Sequence, residues 1–141
     1  MKILWLEDEP DTIDVIKNRL NEDLVKEIIV CQSFASFSDE IEELEDKKDN
    51  IIILDIRMIF NREMKFSCFG KVIKITNSLD SGFEYFNNCL RGRFKNVKII
   101  FFSSKPQFEA IKDAKKHDID TSLIVSKDYT TELLKIIKGI K

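Results

Sequence analysis

The chain has 141 residues, 43% of them apolar and 34% charged, with a formal net charge of −2. That length suits one domain able to bury a core, residues 1–141 throughout, and the dispersed Lys and Glu form no basic stripe, so no direct nucleic-acid binding is expected. A single histidine, His117, excludes a multi-histidine metal site, and no apolar run approaches the ~18 residues of a membrane span.

The first apolar run, Lys2 to Leu6, ends abruptly in Glu7-Asp8-Glu9-Pro10. Pro10 suits a first helical turn, and Ile13, Ile16, Leu20 and Leu24 then recur at helical spacing. Ile28 to Cys31 is a short β-branched strand. Ser36 to Lys47 reads as an acidic helix with Phe37, Ile41 and Leu44 on one face. Ile51 to Asp55 is a third strand, again an apolar run closed by an acid. A helix carrying Phe83, Phe86 and Leu90 follows Ser81-Gly82. Val97 to Phe102 is a fourth strand, closed by Ser103-Ser104. Gln107 to His117 is a helix with Phe108 and Ile111 expected inward. Leu123 to Val125 is a fifth strand ending in Ser126-Lys127, and Thr130 to Ile140 a last helix with Leu133, Ile136, Ile137 and Ile140 available for packing. Such dense alternation predicts an α/β domain whose parallel sheet is covered on both faces.

One stretch breaks the rhythm. Strand-to-helix loops ordinarily run about 2–6 residues, whereas this connection runs from Asp55 to Gly82, with residues 59–79 as an insertion. Within it, Lys71 to Ile75 alternates polar and apolar and suits a small extra strand or hairpin around Gly70. Cys31, Cys68 and Cys89 are odd in number and irregularly spaced, which reads as reduced thiols of an intracellular protein. The N-terminus carries no secretory pattern, so a cytoplasmic location is expected.

Ligands of open α/β sheets bind just beyond the carboxyl ends of the strands. The strand ends here supply Glu7-Asp8, Asp55, Ser103 and Lys127. Three carboxylates at one edge cannot all stay ionised cheaply without a cation among them. Mg²⁺ takes oxygen ligands, one or two carboxylates plus phosphate oxygens, and a carboxylate beside it can become an aspartyl phosphate.

The strings Lys2-Ile3-Leu4-Trp5-Leu6-Glu7-Asp8-Glu9-Pro10, Ile53-Leu54-Asp55-Ile56-Arg57-Met58, Ile100-Phe101-Phe102-Ser103-Ser104 and Val125-Ser126-Lys127 together resemble the receiver domain of two-component response regulators. The resemblance covers the chain apart from 59–79. It implies a doubly wound, flavodoxin-like sheet of order 2-1-3-4-5 flanked by five helices. It also implies that Asp55 accepts a phosphoryl group from a histidine kinase or histidine phosphotransferase. Glu7, Asp8, Asp55 and the backbone carbonyl of Arg57 would hold Mg²⁺, Ser103 would hydrogen-bond the phosphoryl group, and Lys127 would pair with one of its oxygens. The chain would catalyse only its own phosphorylation and hydrolysis. With helix five ending at the C-terminus, output would pass to an unknown protein target, and the helix four to helix five face would offer a possible homodimer contact.

Three positions depart from the family pattern. Ile59 and Asp128 stand where receivers usually have proline, and Ile124 replaces the switching aromatic. A cis Lys127–Asp128 bond would cost about 3–4 kcal/mol against trans, so the loop is either strained or differently routed. Arg57 and Lys105 are expected to overhang the phosphoryl position and slow its hydrolysis. Simpler roles are also open: Asp8 or Glu9 as helix caps, Asp55 or Ser103 as turn residues, Lys127 as a solvated lysine, His117 as an exposed or dipole-satisfying residue. The rival function is a receiver-like interaction module that docks a partner without phosphorylation. A haloacid-dehalogenase-like phosphatase is disfavoured, because its DxD comes early and its acidic pair late, the reverse of the order here.

Overall fold

The computed structural model describes residues 1–23, 27–58, 64–76 and 78–139, so the expectations on Leu24, Ile59 and Ile140 lie outside the described residues. Seven strands form: β1 (Lys2–Leu6), β2 (Glu27–Cys31), β3 (Ile51–Leu54), β4 (Met64–Cys68), β5 (Lys71–Ile75), β6 (Lys98–Ser103) and β7 (Ile124–Ser126). The helices are α1 (Asp14–Asp23), α2 (Phe34–Glu42), α3 (Ser81–Tyr85), α4 (Gln107–Lys116) and α5 (Thr130–Lys138). A 3₁₀ turn, Pro10–Ile13, leads into α1, and a π-helical turn, Phe86–Leu90, prolongs α3.

Five strands make one parallel sheet in the order β2-β1-β3-β6-β7. This differs from the expected 2-1-3-4-5. Two strands, β4 and β5, intervene in the chain between the third and fourth members of the sheet, and they pair antiparallel with each other outside it.

The continuous apolar runs have the cause anticipated for buried parallel strands, which face helices on both sides. Alternate residues feed two cores. Leu4, Leu6, Ile52 and Leu54 pack with Phe34 and Phe37 of α2, Phe83 and Tyr85 of α3, and Ala110 and Ala114 of α4. Ile3, Trp5, Ile51 and Ile53 pack with Ile16 and Leu20 of α1 and Leu133 and Ile137 of α5. Ile136 is partly buried against that second core. Phe108, expected inward, is 73% exposed.

Helix α2 starts before the expected Ser36, because Ser33 caps it: the Ser36 amide donates to Ser33 Oγ at 3.1 Å. The β4–β5 hairpin turns at Phe69 and Gly70, both left-handed (φ 50° and 76°), the pattern of a tight two-residue turn. Its apolar face joins a stack of Phe34, Phe66 and Tyr85, with ring centroids 5.3–5.6 Å apart. The expectation of three reduced thiols is corrected: Cys68 and Cys89 are disulfide-bonded, tying β4 to the end of the α3 segment, and Cys31 is the free cysteine, buried. No helix among the described residues is long and apolar enough to cross a membrane.

Candidate functional site

The register of the sheet decides what meets at its carboxyl edge. Leu6 of β1 pairs with Leu54 of β3, so Glu7 and Asp55, the next residue on each strand, emerge side by side. The Asp55 amide donates to Leu6 O at 3.1 Å and extends the ladder one step. Asp8 follows at the start of the turn into α1. One carboxylate oxygen each from Glu7, Asp8 and Asp55 lies within 4.8 Å of the others, an acidic cluster that could hold a metal ion.

Lys127 reaches this cluster from the far side of the sheet. Ser103 pairs with Ser126, the Lys127 amide donates to Ser103 O at 2.8 Å, and the side chain then turns back over the edge. Its Nζ donates to Glu7 Oε1 at 2.6 Å and to Asp55 Oδ2 at 3.4 Å. The described backbone contains no cis peptide, so Lys127–Asp128 is trans and the loop takes a different route. The Asp128 amide donates to Ser126 Oγ (3.2 Å) and the Tyr129 amide to Ser126 O (3.0 Å).

Burial decides the electrostatics. Glu7 is fully buried and Asp55 nearly so. Burial pushes the Asp55 carboxyl up, and the hydrogen bond and charge of Glu7 push it further, to about 8, against the pull of Lys127 and of the Arg57 amide. Burial works against the Lys127 ammonium, but the charges of Asp55 and Glu7 outweigh it and raise its pKa. Near neutrality Asp55 therefore keeps its proton, close to the Lys127 ammonium. Hard carboxylate oxygens are the donors that Mg²⁺, Ca²⁺ and Mn²⁺ favour, and the donor set fits such an ion.

The other expected residues divide. Arg57 joins through its amide, which donates to Asp55 Oδ1 at 3.2 Å. Ser103 is buried at the end of β6, and its hydroxyl accepts the Lys105 amide hydrogen at 3.2 Å. Lys105 does not overhang Asp55. Its ammonium is buried against Asp80 (2.8 Å) and Asp113, and Asp80 also meets His117 Nε2 at 3.4 Å. Glu9 heads the turn into α1 without a side-chain capping bond, so that simpler role is not the one it fills.

Sequence reasoning missed two residues that touch the Asp55 loop. The Met58 amide donates to Ser81 Oγ at 2.8 Å, and the Gly82 amide donates to Ile56 O at 2.8 Å. The only signal was the Ser81-Gly82 pair, read merely as a helix start. No protein-family model, curated protein or solved structure matches the chain.

Proposed function

We propose that the chain is a phosphoacceptor receiver module: Asp55 takes a phosphoryl group from the phosphohistidine of a histidine kinase or histidine phosphotransferase, in a Mg²⁺-dependent reaction. The observation that carries this reading is the convergence of Glu7, Asp8 and Asp55 within 4.8 Å at the sheet edge, with the Lys127 ammonium contacting two of them. The two-faced α/β arrangement is compatible with a flavodoxin-like domain, the fold that receivers use.

In this reading one Asp55 oxygen attacks phosphorus, the new O–P bond forms as the donor N–P bond breaks, and the imidazole nitrogen leaves with the electron pair. The Arg57 amide orients Asp55 through Oδ1, while Lys127 faces Oδ2. Lys127 shifts its partnership from Glu7 toward the transferred phosphoryl oxygens, where charge accumulates. Glu7, Asp8, Asp55 and the Arg57 carbonyl would hold the cation. Mg²⁺, when bound, supplies the positive charge that offsets the phosphoryl oxygens. The Ser103 hydroxyl, which accepts from the Lys105 amide, donates its hydrogen to a phosphoryl oxygen. The module acts on itself, signals through changed partner binding, and works in the cytoplasm.

Intact-mass measurement after acetyl phosphate and Mg²⁺ tests this. Wild type gains the mass of one phosphoryl group, and Asp55→Asn gains none. Wild type without adduct, or an equal adduct on Asp55→Asn, overturns the assignment.

One observation favours a second reading, a phosphorylation-independent interaction module. Ile124 is buried in the core at the place of the switching aromatic, so that side chain has no ring to swing. Mg²⁺-dependent beryllofluoride binding separates the two: the phosphoacceptor binds it and the passive module does not.

A further inference from the structure

We propose that Ser81 and Gly82, at the head of α3, are positioning residues that hold the Asp55–Met58 loop in the shape the cation pocket needs. The proposal rests on the phosphoacceptor reading for its magnesium arm.

The loop leaves the sheet after Leu54 and belongs to no strand or helix, yet Ile56 and Met58 are buried. Their backbone polar groups need partners away from water. One dipeptide supplies them. Gly82 N–H donates to Ile56 O (2.8 Å), and the Ser81 hydroxyl donates to the same oxygen (3.3 Å) while accepting from Met58 N–H (2.8 Å). Arg57, the residue between them, is thereby held from both sides, with its own amide on Asp55 Oδ1.

Gly82 adds a steric condition. A Cβ there would lie 2.0 Å from the Asp55 carbonyl oxygen and 2.9 Å from both Asp55 C and Ile56 Cα. All three are backbone atoms, so no flexible side chain can yield. The α3 backbone rests directly on the phosphoacceptor's own peptide.

An ordinary capping role does not account for Ser81. The cap position of α3 is Asp80, which makes no side-chain capping bond; its carboxylate is turned to Lys105 and His117 instead. Lys105 in turn pairs with Asp113 of α4. The clamp is thus anchored from behind to the β6–α4 side of the molecule. The long excursion between β3 and α3 returns to the loop it left.

The test compares wild type, Ser81→Ala, which removes the hydroxyl, and Ser81→Thr, which keeps it. Amide hydrogen exchange at Met58 reads the clamp directly, and Mg²⁺ titration reads its consequence. In Ser81→Ala, Met58 exchange rises at least about tenfold while Leu4 and Ile52 stay protected, and Mg²⁺ binding weakens about tenfold, as when a ligand's outer support is lost. Ser81→Thr restores both. Unchanged Met58 protection overturns the clamp, and faster exchange with unchanged Mg²⁺ affinity reduces Ser81 to a structural residue and overturns the proposal too. Wild type that binds no Mg²⁺ overturns the phosphoacceptor reading, and this one with it. The two failures are distinguishable, since one shows in the wild type and the other only in the variant.

Discussion

At the scale of single residues, the carboxyl of Asp55 sets the behaviour of the pocket. Burial beside Glu7 raises its pKa from an ordinary 3.8 to about 8, so near neutrality the folded protein holds a proton that the unfolded chain has released. A cation entering among Glu7, Asp8 and Asp55 must displace that proton. Below pH 8 the logarithm of Mg²⁺ affinity should therefore rise by about one per pH unit, and above it the curve should level. Calorimetric titrations between pH 6 and 9, in buffers of different ionisation enthalpy, measure both the slope and the proton released. A flat profile from pH 6 to 8 would show that Asp55 holds no such proton. Lys127 does not flatten the curve, because its ammonium stays charged across this range, held up by the same two carboxylates.

At the scale of elements, the Lys105 ion cluster is the tie between the lead-in to α3 and helix α4. The Lys105 side chain is 5% exposed, and the Asp80 and Asp113 side chains 14% and 16%. Burial raises the Asp80 carboxyl, but Lys105 and His117 outweigh it and hold the group below its usual value. Such a carboxylate contributes stability above its unfolded pKa, and that contribution is lost as pH falls through the folded value. Lys105→Met keeps the apolar stem but removes the cation that pairs with both half-buried carboxylates, at a cost of about 1–3 kcal/mol near neutrality. In the variant Asp80 loses the first cation that holds its carboxyl down, so acid costs it less than it costs wild type. Urea denaturation of the two proteins at pH 7 and pH 4 should show the gap narrowing in acid, and a gap independent of pH would refute the pairing. None of this was legible in the sequence, because Lys105, Asp80, Asp113 and His117 belong to no local pattern. The strands were legible, since a parallel strand buried on both faces must be apolar without interruption. Helix α4 was misread in part. Phe108 outweighs its neighbours in hydrophobicity, yet the buried positions are Ala110 and Ala114, one turn apart, and Phe108 lies about 200° around the helix from Ala110. The Cys68–Cys89 bond was equally invisible, since it depends on where the hairpin packs and not on spacing.

At the scale of the whole molecule, the sheet spends stability to build its edge. Glu7, Asp8, Asp55 and Lys127 could be picked out from sequence because each follows an apolar run, and parallel strands in register end together. Ser81 and Gly82 could not, because what they support is a loop more than twenty residues earlier in the chain. The cost of that edge can be measured. A carboxyl whose folded pKa stands near 8 and whose unfolded pKa is 3.8 weakens the fold as pH rises between the two values, by on the order of a few kcal/mol at pH 7. Asp55→Asn removes the ionisable group, keeps its size, and leaves Lys127 paired with Glu7. In the absence of divalent cations the variant should therefore melt above wild type at pH 7, with the difference vanishing at pH 4. On the proposed function, Mg²⁺ should reverse the ranking. At a hundred times its dissociation constant it stabilises wild type by about 2.7 kcal/mol, roughly 5–10 °C in Tm for a chain of this size, and leaves Asp55→Asn nearly unmoved. Thermal melts of both proteins at pH 4 and 7, with EDTA or with Mg²⁺, contain the whole argument. If wild type already melts above Asp55→Asn in EDTA at pH 7, the Asp55 carboxylate is satisfied without a cation, and the pocket is a structural ion pair rather than a site awaiting its ligand.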